Sequence, residues 1–567
     1  MSKLISSFGS SQPRNAPQPV PLNFGDGWGI GSVFDWYNSL SDPHGRSIDR
    51  IQIWKYIAKP VPHRFIVVHM SEGENSIHRF DRRPARDQTN TVDLLSNQAV
   101  ACEDAYQPNV DIDEIAKSAI CEIELDVGGK VDLMVVLSAC YAISSDNSTQ
   151  KYSFLRYNCF FFSWTILMVV ARRCLPYQLP QAEKVVTRFY EEIDDITEFI
   201  LHESIDFFRD LVIEVLTIFR DKAGKRLHVG MNPIAKLAWG LPTSVIRFLW
   251  RRLFSLRLHL GLRKELASKI QTEIRKSVKQ VQDTLLSMEG ARELLDEHLW
   301  IDDTKDPLKE VLKKEANRLI WKAVLEAISA GLGSFTPEEF AAELANSNLK
   351  FSVLGRNAAQ YTAVWNAGLH GGLQAVKAVS ETLDGSESHQ DVFEKAWNSA
   401  RKATLYAAQT VVKNTSKLMK QPQRDQMWDV AWEIWDDCWD HVHKIVQPRS
   451  VKTVDKVMER LISSGVIAVV QDMKMSRDKM IKARTPSKEL MWLPGFQNQS
   501  KGYVTNAELQ DYMHKMIEQD TISANTLSDV HSSMARVWKA TLQPLPLPAL
   551  ALAVITENIT QSVAETD

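Results

Sequence analysis

Cysteine is scarce in this chain, and its six residues never form a Cys-x-x-Cys pair. So few cysteines cannot build a disulfide framework for a chain of this length, and the missing spacing excludes the common zinc and redox motifs. The sequence also lacks an apolar run of about 18 residues, so no transmembrane helix is predicted. Residues 1–22 are rich in Ser, Pro and Gln and are predicted to be a flexible tail rather than a targeting segment. We therefore expect an intracellular, cytoplasmic protein.

An excess of charge of one sign is absent too. The 67 Lys and Arg residues nearly balance the 70 Asp and Glu residues, so no global field attracts nucleic acid and no nucleic-acid partner is predicted. The Gly-rich stretch 23–32 has no following Lys-Ser/Thr and no preceding strand, so it is not a phosphate-binding loop. No cofactor and no metal ion are predicted from these motifs. At 567 residues the chain is too long for a single core.

Strand-like alternation of apolar and polar residues marks three segments near the N-terminus. Residues 50–57, 63–70 and 76–81 are predicted strands, and the turn at 71–75 joins the last two into a hairpin. A period of two places His63 and His69 on one face of the first hairpin strand, and His78 lies on the return strand. Residues 82–109 are polar and are predicted to be mostly loop.

A helix with a cysteine at its start is predicted from residue 159. Asn158 precedes an apolar run that extends to Ala171 and is a good helix N-cap, which puts Cys159 in the first turn. The partial positive charge at a helix N-terminus lowers a thiol pKa and favours the nucleophilic thiolate. The alternative is that Cys159 is a small buried apolar residue, as many free cysteines are. Pro176 and Pro180 end the helix and the first globular unit.

Beyond residue 180 the apolar spacing is helical, and no strand is predicted. We expect a helical domain over residues 181–304 and an all-α region of helical hairpins over residues 305–567. Trp321, Trp365, Trp397 and Trp432 recur in similar helical contexts, the last three 32 and 35 residues apart. We predict that these tryptophans are packing anchors, and the helical region can also present a surface to a protein partner.

The segment 245–264 contains six Lys or Arg residues and no acidic residue, interleaved with Leu, Phe and Trp. This composition is typical of an amphipathic helix on an anionic membrane surface, which would make the protein peripheral on membranes. The alternative is an internal helix whose arginines pair with the acidic residues of 191–214. We favour the internal alternative slightly.

Three short motifs over residues 45–175 resemble a known superfamily. His63 followed by Arg-Phe-Ile-Val, Ile77-His78, and Asn158-Cys159 followed by Phe160 to Phe162 are similar to the circularly permuted NlpC/P60 papain-like fold. Within that superfamily the likeness is closest to lecithin:retinol acyltransferase-like proteins. The chain departs from them after the cysteine, where Phe160-Phe161 replaces their Glu-His pair. The resemblance implies an α+β domain over residues 23–180, with an antiparallel sheet and a buried helix that carries the cysteine.

The resemblance also implies a function, namely hydrolysis or transfer of an acyl group through a thioester on Cys159. His63 is then the base and His78 the third residue, with His69 as its rival. The substrate is an amide, a thioester or a lipid ester, and permuted deubiquitinase-like peptidases are an alternative within the superfamily. A zinc site of His63, His69 and His78 has no carboxylate at ligand spacing to support it. The alternative class is a non-enzymatic helical scaffold, which carries a degenerate papain-like domain and can bind membrane surfaces.

Overall fold

The architecture is taken from a computed structural model of the chain. It describes residues 18–24, 27–40, 44–57, 63–71, 76–85, 100–180, 217–224, 233–248, 289–329, 355–383, 387–418, 422–477, 480–484, 501–520 and 524–543, together with scattered residues between 187 and 276.

In the part of the chain that the structure describes, nine antiparallel strands form one sheet. They are β1 Val20–Pro21, β2 Ser47–Tyr56, β3 Arg64–Met70, β4 Ile77–Pro84, β5 Val100–Gln107, β6 Ala119–Asp132, β7 Lys151–Tyr152, β8 Ile481–Arg484 and β9 Lys501–Val504. Their order across the sheet is β1-β5-β4-β3-β2-β6-β8-β9, and β7 pairs with β5 outside this path.

Helices occupy most of the remaining described chain. They are α1 Ser32–Ser39, α2 Ile112–Ala116, α3 Met134–Ser145, α4 Cys159–Cys174, α5 Pro233–Trp239, α6 Glu289–Asp296, α7 Lys305–Ser329, α8 Gly355–Ser380, α9 His389–Leu418, α10 Pro422–Glu433, α11 Trp435–Met475, α12 Asn506–Asp520 and α13 Ala524–Leu542. The expected sequence of an antiparallel sheet followed by a largely helical region is therefore confirmed at this level.

The three predicted N-terminal strands are present as β2, β3 and β4, but the predicted loop over residues 82–109 is wrong in part. It contains β5, which pairs along β4. The polar composition of β5 indicated a loop instead of a strand. A charged side chain of β5 is nevertheless accommodated in the sheet, because it pairs with a charged side chain of β4. Arg82 is fully buried and binds both oxygens of Asp104 at 2.7 Å, and its Nη1 donates to the Thr149 carbonyl.

The main core lies on one face of this sheet. Ile51, Ile53, Ile66 and Val68 project from the central strands into a single apolar cluster with α3 and α4. Helix α4 is apolar on all sides, and every residue from Cys159 to Arg172 is buried, as its composition predicts. The apolar contacts on all sides hold α4 in one position relative to the strands.

Two distant segments of the chain cover α4. Trp164 packs against Tyr512 of α12 with ring centroids 5.6 Å apart. At the other end of α4, the buried Arg172 donates to the Leu295 carbonyl at 2.8 Å and to the His298 carbonyl at 3.1 Å. These bonds satisfy a guanidinium that would otherwise be costly to bury.

The domain boundaries differ from those expected. The described chain divides into two compact units, and the unit with the sheet combines residues from 1–180, 288–305 and 470–567. The second unit combines residues from 181–287 and 306–469. The expected domain 23–180 is thus only part of the first unit. The expected all-α region 305–567 contributes β8 and β9 to the sheet, because β8 pairs with the edge of β6.

The second unit is helical in its described part. Helices α8 and α9 approach closely at Gly371, where an added Cβ would lie 2.8 Å from the Ala407 Cβ. Trp321 is buried, whereas Trp397 and Trp432 are only half-buried. The side chain of Trp365 lies outside the described residues.

Of the basic segment 245–264, only residues 245–248 are described. Arg247 Nη2 donates to the two carboxylate oxygens of Glu214 at 3.1 and 3.0 Å. The internal alternative predicts this pairing. Phe248 is exposed. Among the described helices, none is both long enough and apolar enough to cross a membrane.

Candidate functional site

Cys159 is the first residue of α4 and lies at the edge of the apolar core. The Asn158 side chain caps the helix by accepting from the Phe160 and Phe161 backbone N–H groups at 2.9 and 3.1 Å. The predicted cap is therefore present. The backbone N–H of Arg64 points at the Cys159 sulfur across 3.5 Å. Only 5% of Cys159 is exposed. The sulfur thus lies among polar hydrogens at the tip of an otherwise apolar helix.

His63 immediately precedes β3 and reaches the sulfur from the sheet. The Tyr56 backbone N–H donates to the His63 carbonyl at 3.1 Å, so His63 continues the register of β3 with β2. Its ring stacks on the Tyr56 ring, with centroids 6.0 Å apart and planes 18° apart. The ring is hydrogen-bonded to the Cys159 thiol. The structure thus brings the side chains of His63 and Cys159 together.

Asp81 is the third member of the group. Its Oδ1 lies 2.8 Å from His63 Nε2, so Nδ1 is the ring nitrogen left for the sulfur. The pairing of β3 with β4 explains this contact. Ile66 lies opposite Phe80, so Asp81 projects from the same face as Phe65 and the preceding His63. Asp81 carries no signal of its own in the sequence that would mark it as a site residue. The cross-strand register of the hairpin is the signal that could have identified it.

His78 is not part of this group, contrary to the sequence-based expectation. It lies opposite Val68, on the face of the sheet that carries the main core. Its ring contacts Trp36 edge to face at 5.0 Å, and neither ring nitrogen has a hydrogen-bond partner among the described residues. Burial lowers the pKa of His78 to about 4, so the ring is neutral. Successive residues of β4 point to opposite faces of the sheet, so His78 and Asp81, which are an odd number of positions apart, lie on opposite faces.

His69, the rival candidate, is also separate from Cys159. It lies opposite Ile77 rather than His78, and its Nε2 is 3.0 Å from the Gln52 side-chain oxygen. Burial lowers its pKa to about 4. The three histidines of the hairpin therefore do not form a common site. Within the described chain, no group of three or more His, Cys, Asp and Glu side chains is arranged to hold a metal ion.

The charges around His63 and Cys159 favour an ion pair. Burial opposes protonation of His63, but the Asp81 carboxylate and the Cys159 sulfur outweigh it and raise the pKa of His63 to about 9. Burial likewise opposes ionisation of Cys159, but the His63 charge and hydrogen bonds from His63 and Arg64 lower the pKa of the thiol below its usual value. Cys174, at the other end of α4, has no such neighbours, and burial raises its pKa to about 12. The two ends of one helix thus hold thiols of opposite character.

Two further side chains support the first turn of α4. Arg64 is buried and forms a bidentate pair with Glu122, with N–O distances of 2.6 and 3.0 Å. Its guanidinium also lies over the Phe160 ring at 4.9 Å. The buried hydroxyl of Tyr152 is within hydrogen-bonding reach of the Cys159 backbone N–H. Neither Arg64 nor Tyr152 was singled out from sequence, because their partners are distant along the chain.

The sheet surface beside Asp81 forms a shallow pocket with several charged side chains in its lining. Arg79, Asp81 and Arg83 of β4 line it together with Glu103, Ala105 and Gln107 of β5. These side chains share a face because Asp81 pairs with Ala105 and Arg83 with Glu103. The small side chain of Ala105 leaves open space directly opposite the carboxylate. The pocket therefore presents charged groups of both signs next to the His63–Asp81 pair.

Comparison of the chain with protein-family models, with curated proteins and with solved structures found no match.

Proposed function

We propose that this protein is a thiol-dependent hydrolase or acyltransferase, with Cys159 as nucleophile, His63 as base and Asp81 as the group that orients His63. The observation that carries the proposal is the continuous contact from the Cys159 sulfur through the His63 ring to Asp81, at the N-terminus of a buried helix. The order of a histidine strand, a return strand with the third residue, and a cysteine helix fits the permuted papain-like arrangement. In this arrangement Asp81 takes the role that the resemblance gave to His78.

The reaction would proceed through a thioester. The Cys159 thiolate attacks the substrate carbonyl carbon, and the carbonyl π electrons move to oxygen. When the tetrahedral intermediate collapses, the bond to the leaving group breaks and His63 gives its proton to that group. Water or an acceptor nucleophile then attacks the thioester and gives a proton to His63, and the thiolate is released. Asp81 keeps the ring in place and stabilises its protonated form.

The oxyanion of the intermediate requires hydrogen-bond donors. Phe160 N–H and Phe161 N–H are already bound to the Asn158 side chain. The Tyr152 hydroxyl oxygen accepts from the Cys159 backbone N–H, and its own hydrogen can donate to an oxygen that arrives beside Cys159. We assign the oxyanion donor to the Tyr152 hydroxyl.

The surroundings of the site support a polar substrate. The lining of the pocket beside Asp81 includes two arginines and two carboxylates, and these charged groups interrupt the continuous apolar surface that a lipid chain requires. Phe161 and Phe162, which follow the cysteine, are fully buried in the core. We therefore favour a peptide or isopeptide amide over a lipid ester as the bond that is cleaved or transferred.

The proposal is tested by comparing the six cysteines of the intact protein. Iodoacetamide is applied at pH 6.5, and alkylation of each cysteine is followed by peptide mass spectrometry. We expect Cys159 to react at least about a hundredfold faster than Cys174, because the pKa of the Cys159 thiol is lowered whereas burial raises that of Cys174 to about 12. Treatment with p-nitrophenyl acetate should leave an acetyl thioester on Cys159, and Cys159→Ser should abolish release of nitrophenol. Equal alkylation rates for Cys159 and Cys174 would refute the proposal.

A further inference from the structure

Asp81 is held by two arginines in addition to His63. Its Oδ1 faces His63, whereas its Oδ2 accepts from Arg79 Nη2 at 2.6 Å and from Arg83 Nε and Nη2 at 3.0 and 2.7 Å. One oxygen thus serves the histidine and the other serves the two guanidiniums. Rotation of the carboxylate about its Cβ–Cγ bond would break three hydrogen bonds to arginine as well as the one to His63.

The two arginines are not equivalent. Arg79 is buried, donates from Nη1 to the Tyr56 hydroxyl at 3.0 Å and lies over the Phe65 ring at 3.8 Å. It is therefore part of the structural support of the sheet surface. About a quarter of the Arg83 side chain (24%) is exposed, and both of its described hydrogen bonds go to Asp81. Arg83 can be replaced with less disturbance of the fold.

Neither arginine is needed for a carboxylate to orient a histidine, and their charges oppose protonation of that histidine. Arg83 also lies close enough to Cys159 for their charges to interact. Its hydrogen bonds to Asp81 and its charge interaction with Cys159 give it two effects. It fixes the direction of Asp81, and it adds a positive charge that stabilises the thiolate.

We propose that Arg83 is a positioning residue for the Cys159–His63 pair. Its guanidinium holds Asp81 in the orientation that faces His63, and its charge sets the pH range in which thiolate and imidazolium coexist. The inference rests on the proposed function, because it assumes that this pair is the reacting one.

The sign of the charge effect follows from the groups that surround the pair. Those that face His63 and Asp81 are Tyr56 of β2, Arg79 and Arg83 of β4, Glu103 of β5, Tyr152 of β7, Cys159 of α4, and Arg64 with its partner Glu122. Removing the Arg83 charge makes this environment more negative. The thiol then ionises at higher pH, and His63 keeps its proton to higher pH.

The test measures the rate of Cys159 alkylation by iodoacetamide between pH 4 and 10 in the full chain. We compare the wild type with Arg83→Gln, which removes the charge, and Arg83→Lys, which keeps the charge but loses the two-pronged contact. We expect the midpoint of the rise to move upward by about one pH unit in R83Q and by much less in R83K. Hydrolysis of p-nitrophenyl acetate should fall about tenfold in both variants, because the Asp81 clamp is weakened in both.

Arg50→Gln is the matched control. Arg50 is a partly exposed arginine of the same sheet that pairs with Asp49 and lies 3.9 Å from Glu124. Arg50 belongs to β2 and has no described contact with His63, Asp81 or Cys159. The midpoint of Cys159 alkylation in R50Q should therefore equal that of the wild type. If R83Q does not melt cooperatively, Arg83→Met replaces it, since methionine keeps much of the aliphatic stem without the charge.

The outcomes separate this inference from the proposed function. A reactive wild-type Cys159 with an unchanged midpoint in R83Q overturns the role of Arg83 and leaves the proposed function in place. A midpoint that moves equally in R83Q and R83K overturns the charge effect. A wild-type Cys159 that reacts no faster than Cys174 overturns both.

Discussion

The His63 ring contacts the Asp81 carboxylate through Nε2 and is also hydrogen-bonded to the Cys159 thiol. These two contacts determine which protonation states the site can hold. The carboxylate favours imidazolium, and imidazolium in turn favours thiolate. The buried position strengthens both interactions, because charges interact more strongly where water is excluded. The pair therefore titrates as a unit rather than as two independent groups.

The pH dependence of turnover follows from these shifts. The rate of p-nitrophenyl acetate hydrolysis should rise below the usual pKa of cysteine, since the pKa of Cys159 is lowered. It should fall as the pH rises through about 9, where His63 loses the proton that it gives to the leaving group. A bell-shaped profile of kcat/KM measures both limits. A profile that only rises above pH 8 would contradict the ion pair.

Separate replacements of Asp81 and His78 test which of them is the third residue of the site. Asp81→Asn removes the negative charge beside His63, and we expect kcat to fall about 10²–10⁴-fold. His78→Leu is the control, because His78 lies on the other face against Trp36 with no hydrogen bond to lose. It should leave kcat within about twofold and keep or raise the free energy of unfolding. The reverse ranking would restore His78 to the site.

Tyr152→Phe tests the oxyanion site. Loss of the hydroxyl should lower kcat for ester hydrolysis by about 10–10³-fold, as for removal of one oxyanion donor. The alkylation rate of Cys159 should change little, because alkylation by iodoacetamide passes through no oxyanion. Equal losses in both assays would mean that Tyr152 acts only on the thiol.

At the residue scale, sequence reasoning could identify Cys159, His63 and the Asn158 cap, because each depends on neighbours in the chain. Asp81 required the pairing register of two strands, and period two within one strand contains no information about its partner. The same limit applies to Tyr152, which reaches Cys159 from a separate short strand.

Helix α4 combines two functions at the element scale. Its apolar surface holds it in the core, and its capped first turn presents the thiol to His63. The cap satisfies two of the N–H groups that every helix leaves unpaired at its start. The direction of the first turn, and with it the direction of the sulfur, therefore depends on one amide side chain.

Asn158→Ala should lower the free energy of unfolding by about 1 kcal/mol and slow the alkylation of Cys159. Asp111→Ala is the matched control, because Asp111 caps α2 by accepting from the Asp113 N–H at 2.9 Å. It removes the same kind of cap from an exposed helix and should leave Cys159 reactivity unchanged. Chemical denaturation and alkylation rates measure the two effects. An N158A variant as reactive as the wild type would show that the cap does not orient the thiol.

The strands that sequence reasoning missed are stabilised by partners elsewhere in the sheet and not by an alternating apolar pattern of their own. β5 carries Asp104, whose charge is neutralised by a buried arginine of β4, so its polarity indicated a loop. β8 and β9 have four residues each, and they gain stability from pairing, β8 with the edge of β6 and β9 with β8, rather than from a strong pattern of their own. Long strands with alternating apolar residues, such as β2, could be predicted.

At the scale of the whole molecule, the unit that contains the site is discontinuous in sequence. Trp300 donates from Nε1 to the His531 carbonyl at 3.0 Å, and Trp538 donates to the Asp296 carbonyl at 3.0 Å. The Asn506 side chain donates to the Leu175 carbonyl at the end of α4. The N-terminal residues therefore depend on residues 288–305 and 470–567 for part of their core.

This arrangement predicts that residues 1–180 do not form a stable domain alone. The fragment would expose the surfaces of α4 that Tyr512 and residues 288–305 cover, and it would leave the buried Arg172 without its carbonyl partners. We expect no cooperative thermal transition by circular dichroism and no selective alkylation of Cys159. The full chain, measured in parallel, should show both. A fragment that melts cooperatively and keeps a reactive Cys159 would contradict this expectation.

The discontinuity of the first unit also has a consequence for synthesis. Translation at roughly 5–20 residues per second requires about 20–70 s to pass from the end of α4 to the end of α13. During that interval α4, which is apolar on all sides, has left the ribosome, whereas the C-terminal helices that pack on it have not yet been synthesised. Nascent chains of this protein should therefore be prominent clients of ribosome-associated chaperones, and the thiol should become reactive only after the C-terminal helices emerge.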